Sequence, residues 1–237
     1  MAKNPNDWTI IVDEIIRGVE KGKFQKGEKL PSENKLADRY GVPRADVRRA
    51  YGRLKELGYI YSLQGSGSFF AGRREKIPLS MISGGSFTQK MKELGVPYES
   101  KNIQAKRIGY NEPIFECLKA EKGDAVWKIV LLRILNGEPA ALHTRYLPEK
   151  YFPHLSRDAA AITSSFAYLK QNGYEDFYSA DSQFTLGLLS KRERQLLGLT
   201  GYATALTLSS KTIHRPDGAV LELYHTVYRA DRFIFLL

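Results

Sequence analysis

The sequence contains one cysteine, Cys117, among its 237 residues. A single thiol cannot form a disulfide within the chain, so a reducing compartment is the expected environment. No uninterrupted apolar run reaches the length of about 20 residues that a membrane-spanning helix needs. The first residues also lack the apolar core of a secretory signal. These absences predict a soluble, cytoplasmic protein without a membrane partner.

Sequence patterns typical of catalysis and metal binding are also missing. The four histidines, His143, His154, His214 and His225, show no metal-ligand spacing. No Gly-x-Ser-x-Gly elbow or Walker loop is present, and Cys117 has no evident activating partner. His225 lies in a strand-like run and is expected in the core or in the wall of a pocket. We therefore expect no metal, no cofactor and no catalytic residues.

Positive charge is abundant, with 36 lysines and arginines against 26 aspartates and glutamates, a net charge of +10. Such an excess favours polyanionic partners, although it also serves solubility. Residues 44–55 hold five basic side chains and one acidic side chain, so the charge is locally concentrated. This segment is the first candidate for a nucleic-acid contact.

The N-terminal part of the chain predicts three helices and a hairpin. Apolar residues from Trp8 to Val19 recur at steps of three and four, which indicates a helix with one buried face. A second helix is expected from the N-cap Ser32 to Gly41, and a third from Pro43 to Gly58. Strand-like arms at 59–63 and 68–71 then surround a glycine-rich turn. This layout is typical of a winged helix-turn-helix, which reads double-stranded DNA.

The candidate DNA-binding residues lie on the second and third helices and on the hairpin turn. Arg44 and Arg48 are four residues apart on one helix face. The guanidinium group of an arginine can form two hydrogen bonds with a guanine base or with a phosphate. The alternative is that these charges form only a solvated helix face. Glycines in the turn let the backbone approach a phosphate closely. The full set is Ser32, Glu33, Arg44, Ala45, Asp46, Arg48, Arg49, Arg53, Gln64, Gly65, Ser66 and Gly67.

Residues 30–71 resemble the DNA-binding domain of the GntR family of bacterial transcription regulators, including the triplet Pro31-Ser32-Glu33. Two positions depart from the family pattern. Asn34 stands where a basic residue is usual, and the third helix opens Pro-Arg-Ala-Asp in place of Ser-Arg-x-Thr. Asp46 would repel phosphates unless it reads a cytosine amino group or pairs with an arginine. The operator sequence is therefore expected to differ from those of relatives.

Beyond the DNA-binding part, at residues 1–75, we expect a linker at 76–85 and a second domain at 86–237. Turns such as Asn136-Gly137 and Asp217-Gly218 join strand-like runs into hairpins. The pattern predicts an α+β domain, an antiparallel sheet with helices on one side. The predicted helices are 87–95, 163–172 and 190–198, and the predicted strands are 103–110, 125–135, 139–147, 178–188, 203–214 and 219–229.

This second half resembles the UTRA effector-binding domain of the HutC subgroup of GntR regulators. The matching segments are Ser86-Phe87-Thr88, Leu94-Gly95, Arg133, Asn136-Gly137-Glu138-Pro139, Tyr146-Leu147-Pro148, Asp217-Gly218, Glu222 and Tyr228-Arg229-Ala230-Asp231-Arg232-Phe233. The resemblance implies a fold like that of chorismate lyase, used to sense a small molecule, and a homodimer.

The candidate effector-binding residues suit an anion with a hydroxylated body. Serines before two helices offer hydroxyls and free backbone N–H groups, and Arg133 adds a charge-assisted bond. Glu222 and Tyr228 suit hydroxyl groups. The alternative is that the serines are only helix caps and Arg133 a surface residue. The full set is Ser86, Phe87, Thr88, Arg133, His143, Arg145, Ser164, Ser165, Phe166, Glu222 and Tyr228.

Two departures from the subgroup narrow the expected ligand. Leu131-Leu132-Arg133 stands where Arg-x-Arg is frequent, and His143 stands where a glutamate often binds an amino group. We therefore expect an effector without a required ammonium. The predicted function is a ligand-responsive repressor, released from a palindromic operator by a small anionic metabolite such as a sugar phosphate. The alternatives are an enzyme of chorismate-lyase-like fold and a DNA-binding protein without an effector.

Overall fold

The computed structural model describes residues 7–72, 76–81, 85–199, 201 and 203–236. The chain folds into two compact units, Met1–Glu75 and Lys76–Leu237. None of the helices in the described ranges is long and apolar enough to cross a membrane.

The first unit contains the predicted three helices followed by a hairpin. Its elements are α1 (Asp7–Glu20), α2 (Glu33–Tyr40), α3 (Arg44–Glu56), β1 (Ile60–Leu63) and β2 (Gly67–Phe70). Helix α2 begins where the Ser32 hydroxyl accepts a hydrogen bond from the Lys35 amide at 3.3 Å. It ends at Gly41, whose φ of 61° is left-handed. The chain then turns within three residues into α3, which gives the compact helix-turn-helix.

The core of the first unit fixes the orientation of α3. Val47, Ala50 and Leu54 are fully buried on one side of this helix. They pack in one cluster with α1 residues such as Ile11. Because the buried residues recur at steps of three and four, the arginines between them are left on the solvent side.

The second unit has a larger set of elements. They are β3 (Ile77–Ser80), α4 (Phe87–Glu93), β4 (Tyr98–Ile108), α5 (Glu112–Leu118), β5 (Val126–Leu135), β6 (Glu138–Pro148), α6 (Leu155–Asp158), α7 (Ser165–Gln171), β7 (Phe177–Leu188), α8 (Lys191–Leu196), β8 (Thr204–His214), β9 (Val220–Arg229) and β10 (Phe233–Leu236). Short 3-10 helices occur at Glu149–Tyr151 and Ala159–Ala161.

Six strands form one antiparallel sheet in the order β4-β5-β6-β9-β8-β7, so β4 and β7 are its edges. The turn between β5 and β6 is Asn136-Gly137, with φ of 51° and 78°, the left-handed pair of a type I′ hairpin. A separate parallel pair joins β3 to β10. The α+β class with an antiparallel sheet is confirmed.

The prediction of helices on one side of the sheet was wrong. One face packs against α6, α7 and the 3-10 turn between them, and against α4 with the β3–β10 pair. The opposite face packs against α5 and α8. Strand β5 explains the difference, because its sequence VWKIVLLRIL is apolar at nearly every position, as expected for a strand covered on both faces.

Four further elements differ from the sequence predictions. Residues 77–80, placed in the linker, form β3, and 233–236, assigned to no strand, form β10. Residues 112–118 form the unpredicted helix α5, capped by the Asn111 side chain, which accepts from the Ile114 amide at 3.3 Å. Strand β4 begins at Tyr98, earlier than the predicted residue 103. Strands β3 and β10 and helix α5 are short elements that tertiary contacts stabilise.

Candidate DNA-binding surface and small-molecule cavity

The solvent face of α3 presents Arg44 and Arg48, whose side chains are 59% and 68% exposed. Both pair with Glu33 at the start of α2, because its Oε2 lies 3.1 Å from Arg44 Nε and 3.4 Å from Arg48 Nη2. Ion pairs this exposed contribute little to stability. Their effect is geometric, since one carboxylate holds two guanidinium groups side by side.

The other charged residues of α3 have different surroundings. The Arg49 guanidinium lies 4.7 Å from the ring centroid of Trp8, a cation–π contact. Arg53 Nη1 donates to Glu56 at 3.0 Å. Asp46, in the first turn beside exposed Ala45, forms no ion pair within the described ranges. The pairing of Asp46 with an arginine, one alternative from the sequence, is therefore not observed there.

The wing turn is exposed from Gln64 to Gly67. Gly65 and Gly67 have φ of 74° and 108°, values that other residues rarely adopt. A Cβ on Gly67 would also lie 3.2 Å from Lys29 Cε, so this glycine brings backbone and a cation together. The wing therefore offers a surface of backbone and small side chains beside a lysine. DNA contact by the wing and by α3 stays a prediction.

The second unit contains a cavity of about 480 Å³ between α4, α7 and the face of the sheet formed by β5, β6, β7, β8 and β9. Its walls bring together nearly all predicted effector-binding residues, although they come from distant parts of the sequence. These are Ser86, Phe87, Arg133, His143, Arg145, Ser164, Ser165, Phe166, Glu222 and Tyr228. Thr88 is the exception among the predicted residues, since it lies one position further into α4 and does not line the cavity.

Arg133, on β5, is 3% exposed, so the alternative that it is a surface residue is wrong. Its Nη1 donates to the Thr163 carbonyl at 3.0 Å, and its guanidinium lies 5.4 Å from the ring centroid of Phe87. Burial, with a smaller contribution from the charge of Arg145, lowers the pKa of Arg133 to about 10. The side chain therefore remains cationic at neutral pH. It is a buried charge that faces a cavity.

The predicted capping role of two serines is present beside this arginine. The Ser86 hydroxyl accepts from the Gln89 amide at 3.0 Å, and the Ser164 hydroxyl accepts from the Ala167 amide at 3.3 Å. Both serines nevertheless line the cavity. Capping and ligand contact are compatible because a hydroxyl can donate while it accepts.

His143 and Arg145, two positions apart on β6, form a network with Glu222 on β9. Arg145 Nη1 lies 3.1 Å from Glu222 Oε1, and Arg145 Nη2 lies 3.4 Å from His143 Nδ1. Glu222 Oε1 also accepts from Thr212 at 3.0 Å. Burial, reinforced by the charges of Arg133 and Arg145, holds the pKa of His143 well below its usual value. The imidazole is thus neutral, and an arginine donor at Nδ1 assigns its proton to Nε2.

Four buried side-chain atoms in these walls have no hydrogen-bond partner within the described residues. They are Arg133 Nε, His143 Nε2, Arg145 Nε and Glu222 Oε2. A buried polar atom without a partner costs about 1–3 kcal/mol. The side chains that carry these three donors and one acceptor all line the cavity, a composition that suits a polar ligand.

The cavity also contains residues that sequence reasoning missed. Tyr224 and Thr226 lie between Glu222 and Tyr228 at alternate positions of β9, so the two-residue period of a strand was a usable signal. Tyr224 lies beneath the Arg145 guanidinium at 4.4 Å. Burial raises the pKa of Tyr228 to about 12, so its phenol stays protonated. No comparable signal identified Lys90, Ser179, Ser182 or Thr212.

His225, predicted for the core or a pocket wall, lies on the opposite face of the sheet. It lines a smaller hollow of about 220 Å³, and its Nδ1 is 3.0 Å from Ser209 Oγ. Burial lowers its pKa. The residue therefore does not belong to the main cavity.

Comparison with known proteins matches both units. Residues 9–70 match the gntR family of bacterial regulatory proteins, and residues 93–234 match the UTRA domain. The crystal structure of PhnF from Mycobacterium smegmatis shares the fold, with a TM-score of 0.63 and 22% identity over 95% of this chain and 96% of that chain.

Two curated relatives align over nearly their whole lengths. The regulator TreR of Bacillus subtilis is 26% identical, covering 98% of this chain and 96% of the relative. The repressor NagR of the same species is 25% identical, with 95% and 91% covered. These relatives are transcription regulators and not enzymes. The chain belongs to the GntR family of bacterial regulatory proteins and carries a UTRA domain, so it is a ligand-responsive transcription regulator.

Proposed function

We propose that the protein is a homodimeric repressor that a small anionic metabolite, such as a sugar phosphate, releases from a palindromic operator. Two relatives support the direction of control, because NagR is named a repressor and MngR of Escherichia coli a mannosyl-D-glycerate transport/metabolism system repressor. The observation that carries the ligand class is Arg133, a buried cation in the cavity wall whose Nε has no hydrogen-bond partner among the residues that the structure describes.

The anionic group of the ligand is assigned to the part of the cavity around Arg133. The Nη1 atom of Arg133 donates to the Thr163 carbonyl, which fixes the plane of the guanidinium group. Ser86 and the buried Ser165 offer hydroxyl donors in the same cavity. Charge-assisted bonds from a fixed guanidinium are short and strong, and the enclosed site strengthens them further. A phosphate or carboxylate supplies the acceptors that these donors need.

The body of the ligand is assigned to His143, Arg145 and Glu222. The charge of Glu222 is matched by Arg145 at 3.1 Å, so the carboxylate has no net charge left for an ammonium. His143 is neutral and offers a donor, unlike a carboxylate at the same place. Hydroxyl groups satisfy both kinds of partner because they donate and accept. We therefore assign a hydroxylated body without an amino group.

On DNA, the third helix of each copy occupies the major groove, with Arg44 and Arg48 as the base-reading residues. A dimer with twofold symmetry matches a palindromic site, and half-site spacing follows from the dimer geometry. The ligand acts by binding more tightly to the state whose DNA-binding units are misplaced.

The decisive test is binding to the DNA upstream of the protein's own gene, titrated with sugar phosphates and organic anions. Release of the DNA by one compound supports the proposal and identifies the effector class. DNA binding that no compound alters contradicts the ligand-release mechanism.

The ligand class is tested by calorimetry with glucose 6-phosphate and glucosamine 6-phosphate as probes. We expect glucosamine 6-phosphate to bind more weakly than glucose 6-phosphate. Its ammonium group would lie near the positive charges of Arg133 and Arg145, and the carboxylate of Glu222 is already paired. Arg133→Gln should abolish binding of either probe, whereas the matched change Arg215→Gln, at a 60% exposed surface arginine, should not. Tight binding of glucosamine 6-phosphate with no binding of glucose 6-phosphate would contradict the assignment.

A further inference from the structure

The second hollow, of about 220 Å³, lies on the sheet face opposite the main cavity. One row of cross-strand partners on β4, β5, β6 and β9 forms its floor: Gln104, Val130, Thr144 and His225. Helix α8 and its cap contribute a wall. Four of the lining residues belong to the apolar cluster under α8, namely Val130, Leu142, Leu196 and Val227. Apolar walls with a few polar groups are the usual form of a small-ligand site.

The second hollow is separate from the main cavity, although the two share strands. Successive side chains of a strand point to opposite faces of the sheet. Thr144 lines the hollow, while its neighbours His143 and Arg145 line the main cavity. A molecule in the hollow therefore does not contact the side chains of the main cavity, including Arg133.

Three basic side chains from three different elements meet at the second hollow. Lys128 on β5 and Arg192 on α8 both line it. Lys106 on β4 is the direct cross-strand partner of Lys128. Arg192 Nη2 donates to Gln104 Oε1 at 3.2 Å, which ties the helix arginine to the same edge strand. The fold therefore brings three positive charges together at one small hollow.

These cations repel one another. Burial, and then the charges of Arg192 and Lys106, lower the pKa of Lys128. Like charges directly opposite on neighbouring strands also destabilise a sheet, and Lys106 and Lys128 are such a pair. Lys128 Nζ lies 5.8 Å from the ring centroid of Tyr146, near the outer limit of a cation–π contact. An anion between the cations would remove the repulsion and accept charge-assisted hydrogen bonds.

Protection of the sheet edge does not account for this cluster. Lysines on an edge strand discourage association, which is sufficient reason for the exposed Lys106 on β4. Lys128, however, lies on the interior strand β5 and is half-buried. A half-buried lysine beside two further cations contributes nothing to an edge, so a different role is required.

Glu193 also lines the second hollow and opposes the three cations. Its Oε2 accepts from the Ser190 amide at 2.8 Å, and its own amide donates to the Ser190 hydroxyl, in the capping box of α8. The carboxylate is thus committed to the start of the helix. One acid against three bases leaves an excess of positive charge at the hollow.

We propose that Lys128, Arg192 and Lys106 form a second anion site, which binds inorganic phosphate. At neutral pH a phosphate group carries about two negative charges, and its oxygens point in several directions. It therefore suits donors that approach from three elements better than a planar carboxylate does. The hollow is less than half as large as the main cavity of about 480 Å³, and below the range of about 300–1,000 Å³ that holds larger ligands. The occupant is therefore the free ion and not a sugar phosphate.

The site is tested by calorimetry on the full chain without DNA, with inorganic phosphate as the probe at constant ionic strength. The chain carries Arg133→Gln, so that the main cavity lacks its buried cation. We expect one phosphate to bind per chain. Adding Lys128→Gln or Arg192→Gln should weaken this binding about tenfold or more, the effect of losing one charge-assisted hydrogen bond. Circular dichroism checks that each variant folds.

The matched control is Arg107→Gln, which removes a positive charge one position along β4 from Lys106. Arg107 is exposed, and its cross-strand partner Trp127 packs on the opposite face of the sheet, with the α6–α7 cluster. This variant should bind phosphate as its parent does.

A second titration does not need the Arg133→Gln background. In the chain with Arg133 intact, Lys128→Gln should weaken one phosphate-binding event per chain, whether or not the main cavity also binds the ion. Arg107→Gln should again have no effect. The result therefore does not depend on the proposed function.

Three outcomes would overturn the second site. They are no phosphate binding by the Arg133→Gln chain, equal affinities after Lys128→Gln and Arg107→Gln, and binding of glucose 6-phosphate to the Arg133→Gln chain as tight as that of phosphate. A failure of every compound to release DNA would contradict the proposed function and leave the second site standing.

Discussion

His143 should make the stability of the second unit depend on pH. In the folded chain its pKa is held well below the usual value, whereas in the unfolded chain it titrates near about 6.5. Below that pH the imidazole binds a proton in the unfolded state and stays neutral in the folded state. Stability is therefore present above the unfolded pKa and falls by up to about 1.4 kcal/mol for each further pH unit. The loss grows as the pH falls below about 6.5, for as long as the folded imidazole stays neutral.

The assay is urea unfolding of the wild type and His143→Gln across this pH range. The chain has two tryptophans, so a Trp8→Phe background leaves Trp127 to report on the second unit alone. Glutamine cannot titrate, so the variant should lose less stability on acidification than the parent. The exposed His154→Gln change is the control and should follow the parent. A difference between His143→Gln and the parent that is constant with pH would refute the argument.

Three further outcomes are expected. Arg44→Ala and Arg48→Ala should each weaken operator binding by about 1–3 kcal/mol in a gel-shift titration, and unchanged binding in both would remove them as base-reading residues. Ser32→Ala should lower the free energy of unfolding of the first unit by about 0.5–2 kcal/mol, because the α2 cap at 3.3 Å is lost; a neutral result in urea melts would contradict that role. Glu222→Gln should leave Arg145 without its counter-charge and strengthen calorimetric binding of an anionic ligand; weaker binding would show that the carboxylate itself is required.

The first unit was predictable because its signals are local. Ser32, Gly41 and Gly58 mark helix boundaries within a few residues, and the wing glycines mark a turn. Several residues that line the cavity, including Arg133, Glu222 and Tyr228, were named because they lie in segments that resemble the family, and Ser164 and Ser165 because they precede a helix. Neither source predicted how they interact. The ion pair of Arg145 with Glu222 spans 77 positions, and a contact of that range leaves no local pattern.

The elements that were missed depend on tertiary contacts in the same way. Strand β3 is four residues long and contains Pro78, so its sequence alone resembles a linker. It is a strand because β10 supplies its hydrogen-bond partners. Helix α5 is short and has weak periodicity, and buried Phe115 and Leu118 stabilise it against the sheet.

The β3–β10 pair has a consequence for the order of folding. It joins residues 77–80 to residues 233–236, so almost the whole second unit forms the loop between its two strands. Closing a loop of that length costs conformational entropy. Favourable contacts offset this cost only when the intervening sheet is already formed. The contacts of the first unit are close in sequence and need no such closure. We therefore expect the DNA-binding unit to fold early during synthesis, while the ligand-binding unit is completed only by its last strand.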